Sequence, residues 1–417
     1  MDTTSTPENQ RIIAEHDRFL INTYSRFPLA FVRGEGCELF DADGKRYLDL
    51  FAGFGAPILG HCHPDLIQAV IEQAQTLWHA GNQYYTVLQN EVAQAISQHG
   101  FGGLTFFSHS GADANEGAIK LARIYGRTGP TEDEPRYGVI TAQQSFHGRS
   151  FATMAATGQP AVRKGFEPQV DGFVQVPFND LAAIEHAISP QTVAVMVEPI
   201  QGEGGVIVPN DEYLPGLRQL CDRYGLLLIF DEAWTGCGRT GRYFAHQHWG
   251  VEPDIMTLAK GLGGGLAVGA MTAKPEIASY FDARRHGRSV HASTLGANCV
   301  AMAVSSALFG VLERDGLVDQ ANELGTHVID RLRSFGERWG CIRDVRGKGL
   351  FIGIELDADD KRAWFGGGAE VVQRCMDRGI LINVTQSNVL RLAPPLVIQR
   401  SQLDEGLNGL EQVIRGD

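Results

Sequence analysis

Leu227-Leu228-Ile229-Phe230-Asp231-Glu232 is the stretch that decides the fold. A run of apolar residues that ends in two acids is typical of a buried strand whose carboxyl end reaches a polar edge of a parallel sheet. Similar short apolar runs alternate along the chain with longer segments of helical period. This alternation predicts an α/β fold with a doubly wound, mostly parallel sheet. The predicted strands are residues 104–107, 137–141, 173–176, 193–197, 226–230, 255–258 and 268–272.

The distribution of strand-like and helix-like segments along the sequence predicts three regions. Residues 61–300 contain the predicted strands and are expected to form the large domain. Residues 1–60 contain β-type segments, with Asp43 and Gly44 as a hairpin turn, and are expected to pack with the small domain. Residues 301–417 begin with two long helical segments and continue with short strands, so they predict a smaller α+β domain.

Composition excludes several classes of function. The 417 residues include 36 Lys and Arg against 49 Asp and Glu, a formal net charge of −13. Such an acidic chain has no electrostatic attraction for nucleic acid or anionic lipid, so neither is expected as a partner. No apolar run approaches the roughly 18 residues that a membrane span needs. Residues 1–10 lack the basic and apolar regions of a secretory signal.

The cysteines and histidines indicate neither disulfides nor a metal site. Seven scattered cysteines with no C-x-x-C pair favour a reduced, cytoplasmic location. His61 and His63 flank Cys62, but adjacent residues seldom converge on one ion and no further ligand spacing follows. We therefore expect no metal.

Residues 107–116 contain a candidate phosphate site. Ser110 has Asp113 three residues later, which is a capping arrangement at the start of a helix. Gly111 lets a ligand approach the backbone, and free N–H groups at a helix N-terminus bind phosphate. Taken alone, an ordinary capped helix is the more frequent explanation.

Asp231 and Glu232 stand where an α/β sheet binds its ligands, at the carboxyl end of a strand. A carboxylate at this place can keep a pyridine nitrogen protonated, because an adjacent opposite charge favours the charged form. The alternative is a metal-binding Asp of a nucleotide hydrolase. That alternative needs a phosphate loop, and both Gly-Lys pairs, at 44 and 347, lack the following Ser or Thr.

Lys260 follows an apolar strand and precedes a glycine-rich run. A lysine desolvated at such a place has a lowered pKa, which makes its amine a nucleophile able to form a Schiff base. A surface lysine in a glycine-rich turn is an equally good explanation of this segment alone.

The three segments together are stronger evidence for one cofactor than each of them alone. A phosphate cradle, an acid for a pyridine nitrogen and a Schiff-base lysine are what a protein must supply to pyridoxal 5′-phosphate. With these and other ordered motifs, the chain resembles the subgroup III pyridoxal-phosphate aminotransferases of fold type I, from Asn22 to Leu396. The further matching motifs are Val32-Arg33-Gly34-Glu35-Gly36, Asp41-Ala42-Asp43-Gly44, Phe146-His147-Gly148-Arg149, Glu198-Pro199-Ile200-Gln201-Gly202-Glu203-Gly204-Gly205, Gly238-Arg239-Thr240-Gly241 and Ser293-Thr294.

The resemblance implies a set of cofactor-binding residues. Lys260 is expected to bond the cofactor and carry protons, and Asp231 to pair with the ring nitrogen. Thr294 is expected to reach the phosphate in the neighbouring subunit, which makes a homodimer the minimal active unit. The complete set that the resemblance implies is Ser110, Gly111, Ala112, Phe146, Asp231, Glu232, Ala233, Trp234, Lys260 and Thr294.

It also implies a substrate and its contacts. Within the family, the motifs are most similar to those of members that move the δ-amino group of N-acetylornithine to 2-oxoglutarate, a reaction that arginine biosynthesis runs in reverse. Arg149 is expected to bind the distal carboxylate and Arg391 the α-carboxylate of glutamate, in the bidentate geometry that guanidinium prefers. Glu203 is expected to pair with Arg391 when an ω-amine is bound. Ser293 is expected to touch the acylated substrate.

Two departures bear on the substrate and the cofactor. The family usually has Val-Gln where this chain has Ala233 and Trp234, and an indole N–H donates a hydrogen bond but accepts none. Phe54 replaces a tyrosine that contacts the free α-amino group in ornithine aminotransferases, which favours an acylated substrate. The open alternatives are another ω-aminotransferase, for ornithine, succinylornithine or 4-aminobutyrate, and a dialkylglycine-decarboxylase-like lyase.

Overall fold

The structure, a computed structural model, describes residues 7–128, 135–357 and 367–416. In these ranges the strands are β1 (Phe31–Glu35), β2 (Glu38–Asp41), β3 (Arg46–Asp49), β4 (Leu104–Ser108), β5 (Gly138–Ala142), β6 (Phe173–Val176), β7 (Thr192–Val197), β8 (Leu227–Asp231), β9 (Ile255–Leu258), β10 (Gly269–Ala273), β11 (Ile342–Lys348), β12 (Phe351–Leu356), β13 (Ile380–Leu381), β14 (Asn383–Thr385) and β15 (Val389–Leu392).

The α-helices vary from single turns to six turns. They are α1 (Glu8–Phe19), α2 (Ala52–Gly55), α3 (Pro64–Thr76), α4 (Val87–His99), α5 (Gly111–Thr128), α6 (Phe151–Ala156), α7 (Pro160–Arg163), α8 (Leu181–Ala187), α9 (Tyr213–Tyr224), α10 (Pro275–Ala278), α11 (Ala283–His286), α12 (Cys299–Arg314), α13 (Leu317–Trp339), α14 (Gly368–Asp377) and α15 (Arg400–Arg415). Short 3₁₀ helices cover Ala245–His248, Lys260–Gly263 and Ser279–Phe281.

A seven-stranded sheet forms the centre of the molecule. Its strand order is β4-β10-β9-β8-β7-β5-β6, and only β10 runs antiparallel to its neighbours. The prediction of an α/β fold with a mostly parallel sheet is confirmed, and each of the seven predicted strands lies within one residue of an observed one at both ends.

Both faces of this sheet are covered. Ile229 of β8 packs in one apolar cluster with Leu121 of α5, while its neighbours Leu228 and Phe230 pack in another cluster with Leu217 of α9. Successive residues of a strand point to opposite faces, so an uninterrupted apolar run is what a strand covered on both sides requires.

The carboxyl ends of β4, β8 and β9 lie at the same edge of the sheet, because these three strands run in one direction. Asp231 is the last residue of β8, and Lys260 comes two residues after β9. Helix α5 begins three residues after β4. The three segments that predict cofactor chemistry therefore meet at one edge, as ligand sites of such sheets do.

The N-terminal and C-terminal regions share a smaller sheet. Strands β1, β2 and β3 are antiparallel, and β13 pairs with β3 in parallel. A second small sheet has the order β11-β12-β15-β14. The boundaries after residues 60 and 300 stay a prediction. Among the helices of the described ranges, none is both long and apolar enough to span a membrane.

Candidate active site

A cavity of about 360 Å³ opens at the carboxyl edge of the large sheet. Its volume falls within the range of ordinary small-molecule sites. The predicted residues that line it are Ser110, Gly111, Ala112, Phe146, Arg149, Asp231, Ala233, Trp234 and Lys260.

Asp231 is a buried carboxylate at the floor of this cavity. Its Oδ2 accepts hydrogen bonds from Asn115 at 2.7 Å and contacts His147 Nδ1 at 2.8 Å, while Oδ1 accepts from the Ala233 N–H. Burial acts to raise the pKa of Asp231, but the interactions with His147 and the hydrogen bonds from Ala233 and Asn115 together outweigh it and hold that pKa below its usual value. Asp231 is thus an ionised carboxylate able to hold a cationic ring nitrogen.

Lys260 approaches the cavity with its amine over an aromatic ring. Its Nζ lies 4.0 Å from the ring centroid of Trp234. Burial lowers the pKa of the Lys260 amine, and the charges of Glu203 and Asp231 oppose that shift. A larger fraction of neutral amine follows, which is the form that attacks a carbonyl carbon and accepts a proton.

The first turn of α5 supplies backbone donors. The Asp113 N–H is bonded to Ser110 Oγ at 3.2 Å, and the Ala114 N–H to the Ser110 carbonyl. Gly111 and Ala112 are the first two residues of α5, where N–H groups have no acceptor within the helix itself. Both residues line the cavity, so these N–H groups and the helix dipole favour an anion there.

Arg391 and Glu203 form an ion pair beside the cavity. Arg391 Nη1 lies 3.2 Å from Glu203 Oε1, and the Arg391 side chain is almost completely buried. Burial lowers the pKa of Arg391, and the charge of Glu203 opposes the shift. Asn383 Oδ1 and the Gly202 carbonyl accept its other hydrogen bonds.

Residues 20–414 match the family described as Aminotransferase class-III. The chain belongs to the class-III aminotransferases. It is 42% identical to the acetylornithine aminotransferase of Caldanaerobacter subterraneus, with 97% of this chain and 99% of that protein covered. It is 45% identical to the acetylornithine aminotransferase of Gloeobacter violaceus, with 95% and 96% covered.

Solved structures of aminotransferases have the same fold. The acetylornithine aminotransferase of Elizabethkingia anophelis is 32% identical and superposes with a TM-score of 0.86 over 99% of this chain and 100% of that one. The ornithine aminotransferase of Toxoplasma gondii is 29% identical with a TM-score of 0.90, over 99% and 96%. That structure is described with partial occupancy of pyridoxal phosphate at its active site.

Class-III aminotransferases depend on pyridoxal 5′-phosphate, and the residues of this cavity fit that group. The donor set contains an ionised carboxylate, an amine of lowered pKa and two N–H groups at a helix start. Two buried nitrogens that line the cavity, His147 Nε2 and Trp234 Nε1, also have no partner within the described residues. These are polar atoms that a bound ligand can satisfy.

Glu232 lies outside the cavity of this aminotransferase, although the sequence groups it with the cofactor residues. Its carboxylate accepts hydrogen bonds from Thr235 Oγ1 and from the N–H groups of Ala245 and His246. Because neighbouring residues at a strand end point to opposite sides, Asp231 facing the cavity turns Glu232 away from it. In the structure, Glu232 therefore stabilises the loop after β8.

The loop that carries Ser293 and Thr294 lies at the surface. Ser293 Oγ is 3.4 Å from His109 Nδ1, and Asn82 donates to the carbonyl of Ser293. Thr294 is exposed and does not line the cavity of its own chain. Phe54 is half exposed, lies 6.1 Å from Trp234 between ring centroids, and lines a second cavity of about 580 Å³.

Three polar residues of the site were not predicted from the sequence. Asn115 and His147 hold Asp231, and Thr257 Oγ1 donates to Asn115 at 2.6 Å. Asn115 lies one helical turn after Gly111, so its place on the cavity side of α5 is a signal that a helical projection provides. His147 is adjacent to Phe146 in a matching motif, but its contact with Asp231 needs the tertiary structure.

Glu198 is a buried carboxyl that joins two parts of the site. It accepts hydrogen bonds from the N–H groups of Phe146 at 3.1 Å and Gly202 at 3.1 Å. Burial raises the pKa of Glu198 to about 7, against the opposing charge of His147. The aminotransferase therefore binds a proton at this carboxyl more tightly when folded than when unfolded.

We expect the substitution Glu198→Gln to change how stability depends on pH. The pKa of Glu198 is raised from 4.5 to about 7, so its proton stabilises the folded chain fully below pH 4.5. This contribution is lost as pH rises to about 7. Between pH 5 and 8, the wild type should lose about 1–3 kcal/mol more free energy of unfolding than the Gln variant. Chemical unfolding at both pH values measures the difference.

Glutamine has one acceptor oxygen, so it cannot accept both hydrogen bonds that Glu198 accepts. That loss lowers stability by the same amount at every pH. Only the slope of the free energy of unfolding against pH is therefore diagnostic. Substituting the exposed Glu212 by Gln serves as the control and should leave the slope unchanged. Parallel pH profiles for the wild type and Glu198→Gln would contradict the prediction.

Proposed function

We propose that this aminotransferase moves the δ-amino group of N-acetylornithine to 2-oxoglutarate, giving N-acetylglutamate 5-semialdehyde and glutamate. In arginine biosynthesis the same reaction runs in reverse. The observation that carries the proposal is that Asp231, Lys260 and the start of α5 line one cavity. The similarity to acetylornithine aminotransferases over nearly the full chain supports the choice of substrate.

The proposed cofactor is pyridoxal 5′-phosphate, which draws electrons from the substrate carbon that carries the amine. Asp231 holds its ring nitrogen in the protonated form. The N–H groups of Gly111 and Ala112, with Ser110, bind the phosphate, and the ring of Phe146 packs against the cofactor. Lys260 would hold the cofactor through Nζ, and the same atom would carry the proton.

Two arginines divide the recognition of the substrates. Arg149 is exposed at the cavity, and its guanidinium has no ion-pair partner among the described residues, which supports a role in binding the distal carboxylate. Arg391 binds the α-carboxylate of glutamate after Glu203 moves away. With the ω-amine substrate, Glu203 keeps Arg391 neutralised, because that end of N-acetylornithine has no carboxylate. Ser293 contacts the acylated amine.

A homodimer is part of the proposal. Trp78, Tyr85 and Leu295 are large apolar residues with more than half of their surface exposed. Hydrogen bonds from Asn82 to Ser293 and from Asn298 to the Trp78 carbonyl hold their segments together. A second copy that covers this surface brings Thr294 of one chain toward the cofactor phosphate of the other. We also propose a cytoplasmic location, which the seven scattered cysteines with no C-x-x-C pair support.

A single-turnover absorbance scan tests the choice of amine donor. The purified holoenzyme is mixed with N-acetylornithine, ornithine, 4-aminobutyrate, succinylornithine or 2-methylalanine, and the loss of the cofactor's visible absorbance is followed. We expect N-acetylornithine to react fastest. A faster reaction with another ω-amine would replace the substrate, and carbon dioxide release from 2-methylalanine alone would replace the reaction class.

Ornithine is the second candidate, since solved ornithine aminotransferases superpose on this chain with TM-scores of 0.90 and 0.91. Phe54 opposes it, because a phenyl ring cannot bond the free α-amino group of ornithine.

A further inference from the structure

Trp234 contacts both cations of the proposed site. Its ring centroid lies 4.0 Å from Lys260 Nζ and 4.8 Å from the guanidinium carbon of Arg391. Both distances are within the range of cation–π attraction, which is strongest when the cation is desolvated and the ring is an indole. Only 6% of the surface of Trp234 is exposed, so water does not compete for either contact.

Two glycines fix the orientation of the indole. A Cβ atom at Gly55 would lie 2.6 Å from Trp234 Nε1, and one at Gly202 would lie 2.5 Å from Cε3. The backbone at both glycines therefore lies close to the indole, where a larger residue would clash with it. Phe351 packs on the same ring at 5.0 Å between centroids. These close contacts leave the indole little room to turn away from the two cations.

The two partners of the Arg391–Glu203 pair differ in how firmly they are held. The side chain of Arg391 is 2% exposed, whereas that of Glu203 is 24% exposed. Arg391 is held by Asn383, the Gly202 carbonyl and the indole face. When the pair opens, Glu203 is therefore the partner that moves.

We propose that Trp234 is a positioning residue that holds the guanidinium of Arg391 in place once Glu203 has left, so that the α-carboxylate of a dicarboxylate substrate finds it already aligned. The inference rests on the proposed role of Arg391. It assigns to the indole face a function that a glutamine at this position cannot perform, because an amide has no π surface for a cation.

The placement of the two cations fits one α-amino acid. Both lie within 5 Å of the same ring centroid. Glutamate bound at this site is proposed to bring its amine to Lys260 and its α-carboxylate to Arg391. The ω-amine end of N-acetylornithine makes the first contact only. Loss of the indole therefore weakens the glutamate half of the reaction more than the ω-amine half.

Glutarate is the probe for this inference, because it has both carboxylates of 2-oxoglutarate and no carbonyl that can react. Its dissociation constant for the holoenzyme is measured by titration calorimetry. We expect Trp234→Leu and Trp234→Gln to weaken glutarate binding about tenfold or more, and Trp234→Phe, which keeps an aromatic face, to stay within about threefold. The KM for 2-oxoglutarate should rise in parallel, and the single-turnover rate with glutamate should fall at least about tenfold more than the rate with the ω-amine.

Trp249→Leu is the matched control. Trp249 also has an unpaired buried Nε1 and a cation, Lys348, at 5.5 Å from its ring, but it does not line the cavity. Its substitution should leave glutarate binding unchanged. Thermal unfolding verifies that each variant is folded, and Gln and Leu at position 234 provide two independent tests if one of them does not fold.

Arg391→Ala separates this inference from the function on which it rests. If Arg391→Ala binds glutarate as the wild type does, the proposed role of Arg391 is wrong. If Arg391→Ala weakens binding but Trp234→Leu and Trp234→Gln do not, the role of Arg391 stands and the inference about Trp234 is overturned. Equal losses in both half-reactions of the Trp234 variants would also overturn it.

Discussion

Substituting Lys260 by alanine is expected to abolish transamination. The variant loses the only amine that lines the cavity among the described residues, and with it both the covalent link to the cofactor and the carrier of the proton. We expect kcat to fall by at least about 10³-fold, since proton transfer by a positioned group contributes up to about 10⁴-fold. The visible absorbance of the lysine-bound cofactor should be lost as well. Single-turnover kinetics and an absorbance spectrum measure both effects.

The control is a lysine of the surface. Lys164 is exposed and lies outside the cavity, so Lys164→Ala should keep wild-type activity and absorbance. In the wild-type holoenzyme, borohydride reduction should attach the cofactor to Lys260 and leave Lys164 unmodified. Peptide mapping identifies the modified residue. A small primary amine added to Lys260→Ala should restore part of the proton transfer. Visible absorbance and activity retained in Lys260→Ala would refute the assignment.

The large sheet was predictable because local and tertiary requirements agree there. Residues 227–231 are continuously apolar up to Asp231, and a strand that is covered on both faces requires such a run. The rule that ligands bind at the carboxyl ends of strands then brings Asp231 and Lys260 together without knowledge of their contacts. The N-cap of α5 followed from Ser110, whose Oγ bonds the Asp113 N–H.

The partners of these residues were not predictable, because they come from distant parts of the chain. Asp231 is held by Asn115 and His147, which are 116 and 84 residues away. Glu232 follows Asp231 in the sequence, yet its carboxylate binds the loop at Ala245. Successive residues of a strand point to opposite faces, so the two acids are expected on different sides. Treating Asp231 and Glu232 as one motif hides this difference.

Trp234 shows the same limit in another way. The sequence reveals an indole N–H that can donate one hydrogen bond, and this directs attention to Nε1. In the structure that nitrogen is the unpaired edge of the ring, and the contacts with charged residues are made by its π surface. The residue type alone therefore shows that position 234 departs from the family pattern. It does not show which part of the indole makes the contacts.

Substituting Arg391 by alanine is expected to separate the two half-reactions. The glutamate half should slow by about 10²-fold or more in kcat/KM, because removing one partner of a buried charge pair costs about 2–5 kcal/mol. The ω-amine half should change less than about threefold, since that substrate presents no carboxylate to Arg391. Single-turnover measurements with glutamate and with N-acetylornithine give the two values.

Arg149→Ala is the contrast that makes this result specific. Arg149 is exposed at the cavity and is proposed to bind the distal carboxylate of both substrates, so its loss should slow both halves. Glu203→Gln should act in the opposite direction to Arg391→Ala. It leaves the guanidinium unneutralised, which should tighten binding of glutamate and weaken the preference for the ω-amine. Equal slowing of both halves in Arg391→Ala would refute the switch, because an arginine that only supports the fold has no reason to distinguish the substrates.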